Sequence, residues 1–397
     1  MSRGFVLRVL SYYATRDLIP IYAVYALLFS DHGLSAGEVS SLLVIWSVTS
    51  FVLEIPSGAW ADAIDRRTLL MISAAVYVAA FSTWMLWQSY PGFALGFVLW
   101  GASSAMMSGA FEALLYDELT TRSATASYTG LIGWAESLSM VAMVVGIAAA
   151  GPLYAWGGYD LVGWTSVGVA VLHGVLAWLL PRAPKTADAD DEVVGYTRML
   201  RTGLREAVRH APVRRAVLLA SVFGILAFDE YFPIMARETG AATSTVPWLV
   251  ALTMIGPAIG TALAGRTARM SGRQMSWFVL GAAILLSAGA LAGNVAGFVA
   301  LSLGYGLAWN ASTVADARVQ DAIEGPARAT VTSVLGFSSE VCALAAYAVV
   351  GIGSAWLSVA TLVAILGLPL LAVAGVSRRW LPAPVADDDD EDVVPVT

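Results

Sequence analysis

Two short stretches carry ionisable side chains where the chain is otherwise apolar. "YYATRDLIPIYAVY" sets Arg16 and Asp17 four and three residues before Pro20, and "AFDEYFPIM" sets Asp229 beside Glu230. Glu136 and Glu340 lie in two further apolar stretches, and Glu112, Asp316 and the lone His173 in others. A charged side chain at the centre of a bilayer costs ~2.5–3.5 kcal/mol on insertion scales, so each of these must face protein or water. A carboxylate in that setting can hold a proton at one moment and a cationic ligand at the next. Asp17 is the first candidate for such an exchange, the alternative being a structural pair with Arg16. Glu136 and Glu340 either flank a cavity or form a gate-side bridge. Asp229 and Glu230 either take protons or cations from outside or mark an outer mouth. For Glu112, Asp316 and His173 the structural reading is preferred. Tyr12, Tyr13, Tyr22, Tyr25, Trp46, Trp100, Trp134 and Trp309, with Asn310, are candidates for an apolar cavity wall with a few polar contacts.

A second kind of chemistry is electrostatic. "LEIPSGAWADAIDRR", residues 53–67, packs Glu54, Asp62, Asp65, Arg66 and Arg67 between two apolar stretches. Glu54, Gly58 and Asp62 are spaced by four and form one stripe of a helix. Gly58 lets a neighbouring helix approach closely. Asp62 falls near the helix C-terminus, where the dipole disfavours negative charge, so it needs an arginine or the N-terminus of a facing helix. This set reads as a gate, against the plainer reading of a solvated loop whose charges fix topology.

The elements that position these residues follow from composition. The chain of 397 residues is 58% hydrophobic and 13% charged, with mean hydropathy +0.72, which places it among membrane proteins. Apolar spans recur at roughly 5–30, 38–60, 69–88, 92–115, 128–150, 161–181, 213–235, 246–265, 275–293, 295–315, 330–352 and 355–376. Each approaches the ~20 residues needed to cross a bilayer as a helix. With the N-terminus in the cytoplasm, twenty of the 22 Lys and Arg fall on the cytoplasmic side, leaving Arg16 in the first span and Arg237 outside. The net charge of −7 owes much to the acidic run Asp387–Asp392 and carries no information about partners. Cys342 is the single cysteine, which excludes an internal disulfide, and no cleavable signal is expected.

The expected fold is all-α and polytopic, twelve transmembrane helices in two six-helix bundles with pseudo-two-fold symmetry. Residues 1–181 form the first bundle and 213–380 the second. Residues 182–212 form a cytoplasmic loop with an amphipathic helix, and 381–397 an acidic tail. In the loop, Tyr196, Leu200, Leu204 and Val208 alternate with Arg198, Arg201, Arg205 and Arg209 at helical spacing. A weak repeat supports the halves: a shift of 207 places Gly58 on Gly265 and Arg66 on Arg273, and a shift of 204 places Glu136 on Glu340.

Gly58-x-x-x-Asp62-x-x-x-Arg66-Arg67, between the second and third spans, resembles the signature loop of the major facilitator superfamily. Glu54-Ile-Pro-Ser, "ALLYDEL" (113–119) and "RATVTS" (328–333) resemble its drug-efflux-like branches. The resemblance implies that Asp62 meets the eleventh helix and that Arg66 pairs with an acid closing the fourth, for which Asp117 is the match. Departures exist. Ala63 and Asp65 replace the usual basic residue and glycine, and the fourth span lacks the arginine of many proton-coupled members.

The function expected is a secondary active transporter working by alternating access, exporting a hydrophobic or cationic small organic molecule in exchange for protons. The alternatives are uptake, uniport or lipid movement on the same scaffold and, from another class, a polytopic membrane enzyme or receptor. Three histidines without metal spacing and no phosphate-binding glycine loop argue against an enzyme or an ATP-driven pump, so no metal or cofactor is expected. The expected partners are the substrate, protons and the bilayer, with no nucleic acid. The chain is expected to be a monomer in the cell membrane, with both termini cytoplasmic.

Overall fold

The computed structural model describes residues 2–182, 210–322 and 328–383, and side-chain surroundings within these except at 55, 58, 59, 61, 62 and 328–330. The expected amphipathic helix of the central loop and the acidic run lie outside the described residues. So do the side chains of Gly58 and Asp62, whose backbone belongs to the helix Ala36–Ala63. Among the described residues the secondary structure is helical throughout, with no strand.

Eight helical stretches are long and apolar enough to cross a membrane. One of them, Thr125–Leu179, has 55 residues. At 1.5 Å per residue it is more than twice as long as a ~30 Å hydrocarbon core. It folds back at Gly157–Gly158, where the dihedrals leave the helical region and Gly158 takes φ +59°. The fifth and sixth spans are thus separate crossings joined by two glycines. The short apolar helix Val246–Ala262, the helix Val295–Asp321 and the interrupted first span complete an architecture consistent with twelve crossings. The second and ninth spans start on capping boxes, Ser35 with Glu38 and Ser271 with Gln274.

The first, fourth and seventh spans, expected to be continuous, are among those interrupted. The first is helical over Arg3–Asp17, turns 3-10 over Pro20–Ala23 and resumes at Tyr25–Asp31. Pro20 removes a backbone donor and drives Ile19 into extended geometry, φ −110° and ψ 103°. The freed N–H of Ile21 bonds to Ser166 Oγ of the sixth span at 2.9 Å. Gly146 of the fifth span admits the unwound segment, because a Cβ there would meet Ile19 N at 2.9 Å. The fourth span breaks between Tyr90–Met107 and Ala110–Thr121, with Gly109 at φ +72°. The seventh runs through a 3-10 segment, Val222–Tyr231, before the helix Phe232–Glu238.

The halves meet along three lines. The second span packs on the eleventh, the fifth on the eighth, and the outer part of the first on that of the seventh. The end bearing residues 2 and 383 is called the terminal face here, and the opposite end the far face. Near the far face Gly37 lies against Gly351, where a Cβ would sit 2.9 Å from the carbonyl oxygen, and Gly151 lies against Trp248 and Ser244. Deeper, Phe51 meets Phe337 with ring centroids 5.5 Å apart.

Candidate functional site

A cavity of about 230 Å³ lies between the halves. The broken first span supplies Arg16, Asp17 and Tyr22, and the 3-10 segment of the seventh supplies Asp229 and Glu230. Three carboxylates and one guanidinium therefore face one space, with Trp46 and Trp100 on its wall.

Asp17 ends its helix, where the dipole disfavours a negative charge. It is compensated from two directions. Ser139 of the fifth span donates its hydroxyl to the carboxylate, and Arg16 Nε stands 3.9 Å from the other oxygen. Arg16 is also held over the Tyr13 ring at 5.9 Å, and its carbonyl accepts from Tyr77 at 3.0 Å. The pair with Arg16 exists, and both members still line the cavity.

The opposite wall differs. Glu230 accepts a hydrogen bond from Tyr25 of the first span, across the halves, and neither Asp229 nor Glu230 joins an ion pair among the described residues. Tyr25 is buried among Phe29, Trp84 and Phe97, which hold its ring. Beside it Tyr231 donates to Ser40 of the second span at 2.8 Å. Trp46 and Trp100 stand 5.3 Å apart, Tyr22 stacks on Trp100 at 5.1 Å, and the Trp46 indole N–H is buried with no acceptor among the described residues.

Five candidates lie elsewhere. Asn310 packs the tenth span on the eighth: its Nδ2 donates to the Gly260 carbonyl at 2.8 Å and its Oδ1 accepts from Thr267 at 3.0 Å. Glu340 accepts from Ser47 and so bonds the eleventh span to the second instead of lining the central space. Glu136 and Trp134 are exposed, because the packed face of the fifth span carries Leu131, Ala135 and Ser139. Trp309 is partly exposed against Tyr305. His173 lines the cavity, with its Nδ1 lying 3.0 Å from the Tyr12 carbonyl and its ring stacked on Tyr12 at 4.3 Å. The carbonyl can only accept, which assigns the hydrogen to Nδ1.

Of the signature loop, Arg66 opens the third span's helix and pairs with Asp117, while donating to the Ala113 carbonyl at 2.9 Å. Asp117 is buried. Arg67 lies 5.9 Å from the Trp178 ring, and Glu54 is exposed.

Two groups were not singled out from sequence. Tyr77, on the cavity wall, bonds Tyr22 at 2.5 Å, and nothing in its local sequence marks it. At the far face Arg237 forks onto Asp31, with Nη2 3.0 Å from the second oxygen and 3.0 Å from the Tyr159 hydroxyl. Its signal was present, since Arg237 is the one basic residue outside the cytoplasmic bias and the first span.

A profile of the Major Facilitator Superfamily matches residues 5–346. No curated protein matches the chain by sequence. Among solved structures, the inward-facing, unoccupied form of a bacterial homologue of the human lysosomal transporter Spinster is similar at TM-score 0.69 and 16% identity, covering 95% of this chain and 96% of its own. The nucleoside transporter NupG is similar at TM-score 0.71 and 11% identity, covering 95% and 98%. At those identities the likeness is one of fold. The matched profile extends over most of the sequence, from the first span into the eleventh, and the chain belongs to the Major Facilitator Superfamily.

Proposed function

We propose that this chain is a secondary transporter that exports a hydrophobic or cationic small organic molecule in exchange for protons, by alternating access between residues 1–181 and 213–380. The observation that carries the reading is the cavity between the halves, where Asp17, Asp229 and Glu230 outnumber Arg16 beside Trp46, Trp100 and Tyr22. An aromatic wall accepts an organic cation by its ring faces, and the surplus of carboxylate favours positive charge over negative. The unpaired Trp46 N–H offers one donor to a ligand acceptor.

The orientation proposed has both termini in the cytoplasm of a cell membrane and the monomer as the working unit, and the one-sided count of basic residues in the sequence supports that orientation. In that orientation Asp31–Arg237, Tyr25–Glu230 and Tyr231–Ser40 close the extracellular side. Arg66–Asp117 braces the signature loop on the cytoplasmic side.

The test is flux in proteoliposomes under an imposed pH gradient, with a panel of lipophilic cations, neutral antibiotics and nucleosides. The reading predicts gradient-driven movement of at least one cation. Flux of nucleosides alone, indifferent to the gradient, would replace it with uniport.

A further inference from the structure

A second, larger space lies on the outside of the C-terminal bundle. It is a groove of about 510 Å³ between the eighth, ninth and tenth spans, unconnected with the central cavity in its lining. Its floor is bare because the eighth and tenth spans touch through backbone. A Cβ on Gly260 would sit 2.1 Å from the Gly306 carbonyl oxygen, and one on Gly256 1.7 Å from that of Ser302. Its walls are Ile255, Ile259, Leu303 and Leu307 with Phe278 of the ninth span, and Ile255, Ile259 and Leu303 are exposed.

The dimensions select the occupant. The groove runs from Ile255, at the middle of the eighth span, to Thr267 at its terminal-face end. Twelve residues at 1.5 Å make about 18 Å, close to half of a ~30 Å hydrocarbon core. That length is the reach of one leaflet, whereas a spanning helix or a second copy of this chain would cross both. An acyl chain of one leaflet matches it.

The turn that follows the groove's terminal-face end is basic. Arg266 lies seven residues after Ile259 and three after Leu263, which continues the wall's helical stripe into the turn, and it is exposed. The turn between the eighth and ninth spans is pinned from below by Arg318, which is buried and donates to the Ala268, Met270 and Pro382 carbonyls at 2.6–3.2 Å. Arg273, also exposed, begins the ninth span on the same turn. A rigid turn with two arginines at headgroup depth attracts an anionic phosphate.

We propose that this groove is a binding site for one anionic phospholipid of the terminal-face leaflet, with an acyl chain in the slot and its phosphate at Arg266 and Arg273. The site is independent of the transported substrate. Lipid retention is measured by native mass spectrometry of the full-length protein, titrated with phosphatidylglycerol or phosphatidylcholine of matched chains. Wild type should retain phosphatidylglycerol about tenfold better, and Arg266→Gln with Arg273→Gln should bring the two lipids level. Leu303→Trp, a bilayer-facing change that fills the slot, should lower retention of both. Equal retention of the two lipids by wild type overturns the proposal. So does phosphatidylglycerol retention unmoved by Leu303→Trp, which would leave the arginines as topology signals touching ordinary boundary lipid.

Discussion

Tyr25 donates its hydroxyl to the Glu230 carboxylate across the two halves. Six residues after Tyr25, Asp31 is held by Arg237, which follows Glu230 by seven. One pair of segments thus carries two polar rungs, the inner facing the cavity and the outer facing solvent. A cation or proton bound at Glu230 Oε2 would compete with Tyr25 for that oxygen.

Tyr25→Phe removes the inner donor and keeps the ring among Phe29, Trp84 and Phe97. A hydrogen bond to a charged group contributes ~1.5–3 kcal/mol, so the closed far face should lose about tenfold or more in population. Spin labels at Gln88 and Ala355, in a Cys342→Ser background, read this as a second, longer distance. Superimposable distributions for variant and parent would remove the inner rung from the gate.

The outer rung should matter less. Asp31 and Arg237 are partly exposed, with side-chain accessibilities of 40% and 31%, and such pairs contribute ~0.2–1 kcal/mol. Asp31→Asn is expected to shift the same distances at most about fivefold, with Asp31→Arg plus Arg237→Asp recovering the parent. Burial works to raise the Asp31 carboxyl, but hydrogen bonds from Arg237 and Tyr159 outweigh it and hold the group below the usual carboxylate range. A depressed carboxyl contributes its stability above the unfolded value of ~3.9 and loses it only as pH falls through the lowered one. The clasp therefore stays charged from pH 5 to 8, and Asp31→Asn should leave the shape of a transport–pH profile in that range unchanged.

Arg66 pairs with the buried Asp117 while itself partly exposed, and removing one partner costs at most the ~3–5 kcal/mol of a fully buried pair. Asp117→Ala should lower the thermal midpoint in detergent well below that of Arg66→Gln with Asp117→Asn, where no charge is left unpaired. Equal losses would assign the effect to packing. Transport unaltered after Asp62→Asn or Arg66→Ala would exclude the signature loop from gating.

The helices were legible because bilayer length and a one-sided basic count constrain a chain this apolar very tightly. Their interruptions were legible only in part. The first span was expected to be continuous although Pro20 carries the signal for the break that puts Asp17 at a helix end, the break at Gly109 depends on one glycine among many, and the 3-10 turn at Asp229 has no local signature. Depth in a span was readable and direction was not. Asn310, Glu136 and Glu340 sit within spans, as Asp17 does, yet rotation about the helix sends the first to Gly260, the second outward and the third to Ser47. Those rotations are set by packing between spans far apart in sequence, which a repeat offset of 204 residues does not encode.

The central claim is that cavity carboxylates trade protons for substrate. It is tested most directly by trapping a pH-sensitive dye in proteoliposomes and adding a transported lipophilic cation outside. Wild type should move protons opposite to the substrate, Asp17→Asn should abolish that signal, and Glu136→Gln, an exposed residue away from the cavity, should retain it. Proton movement undiminished in Asp17→Asn, or substrate flux with no proton movement in wild type, would contradict the account.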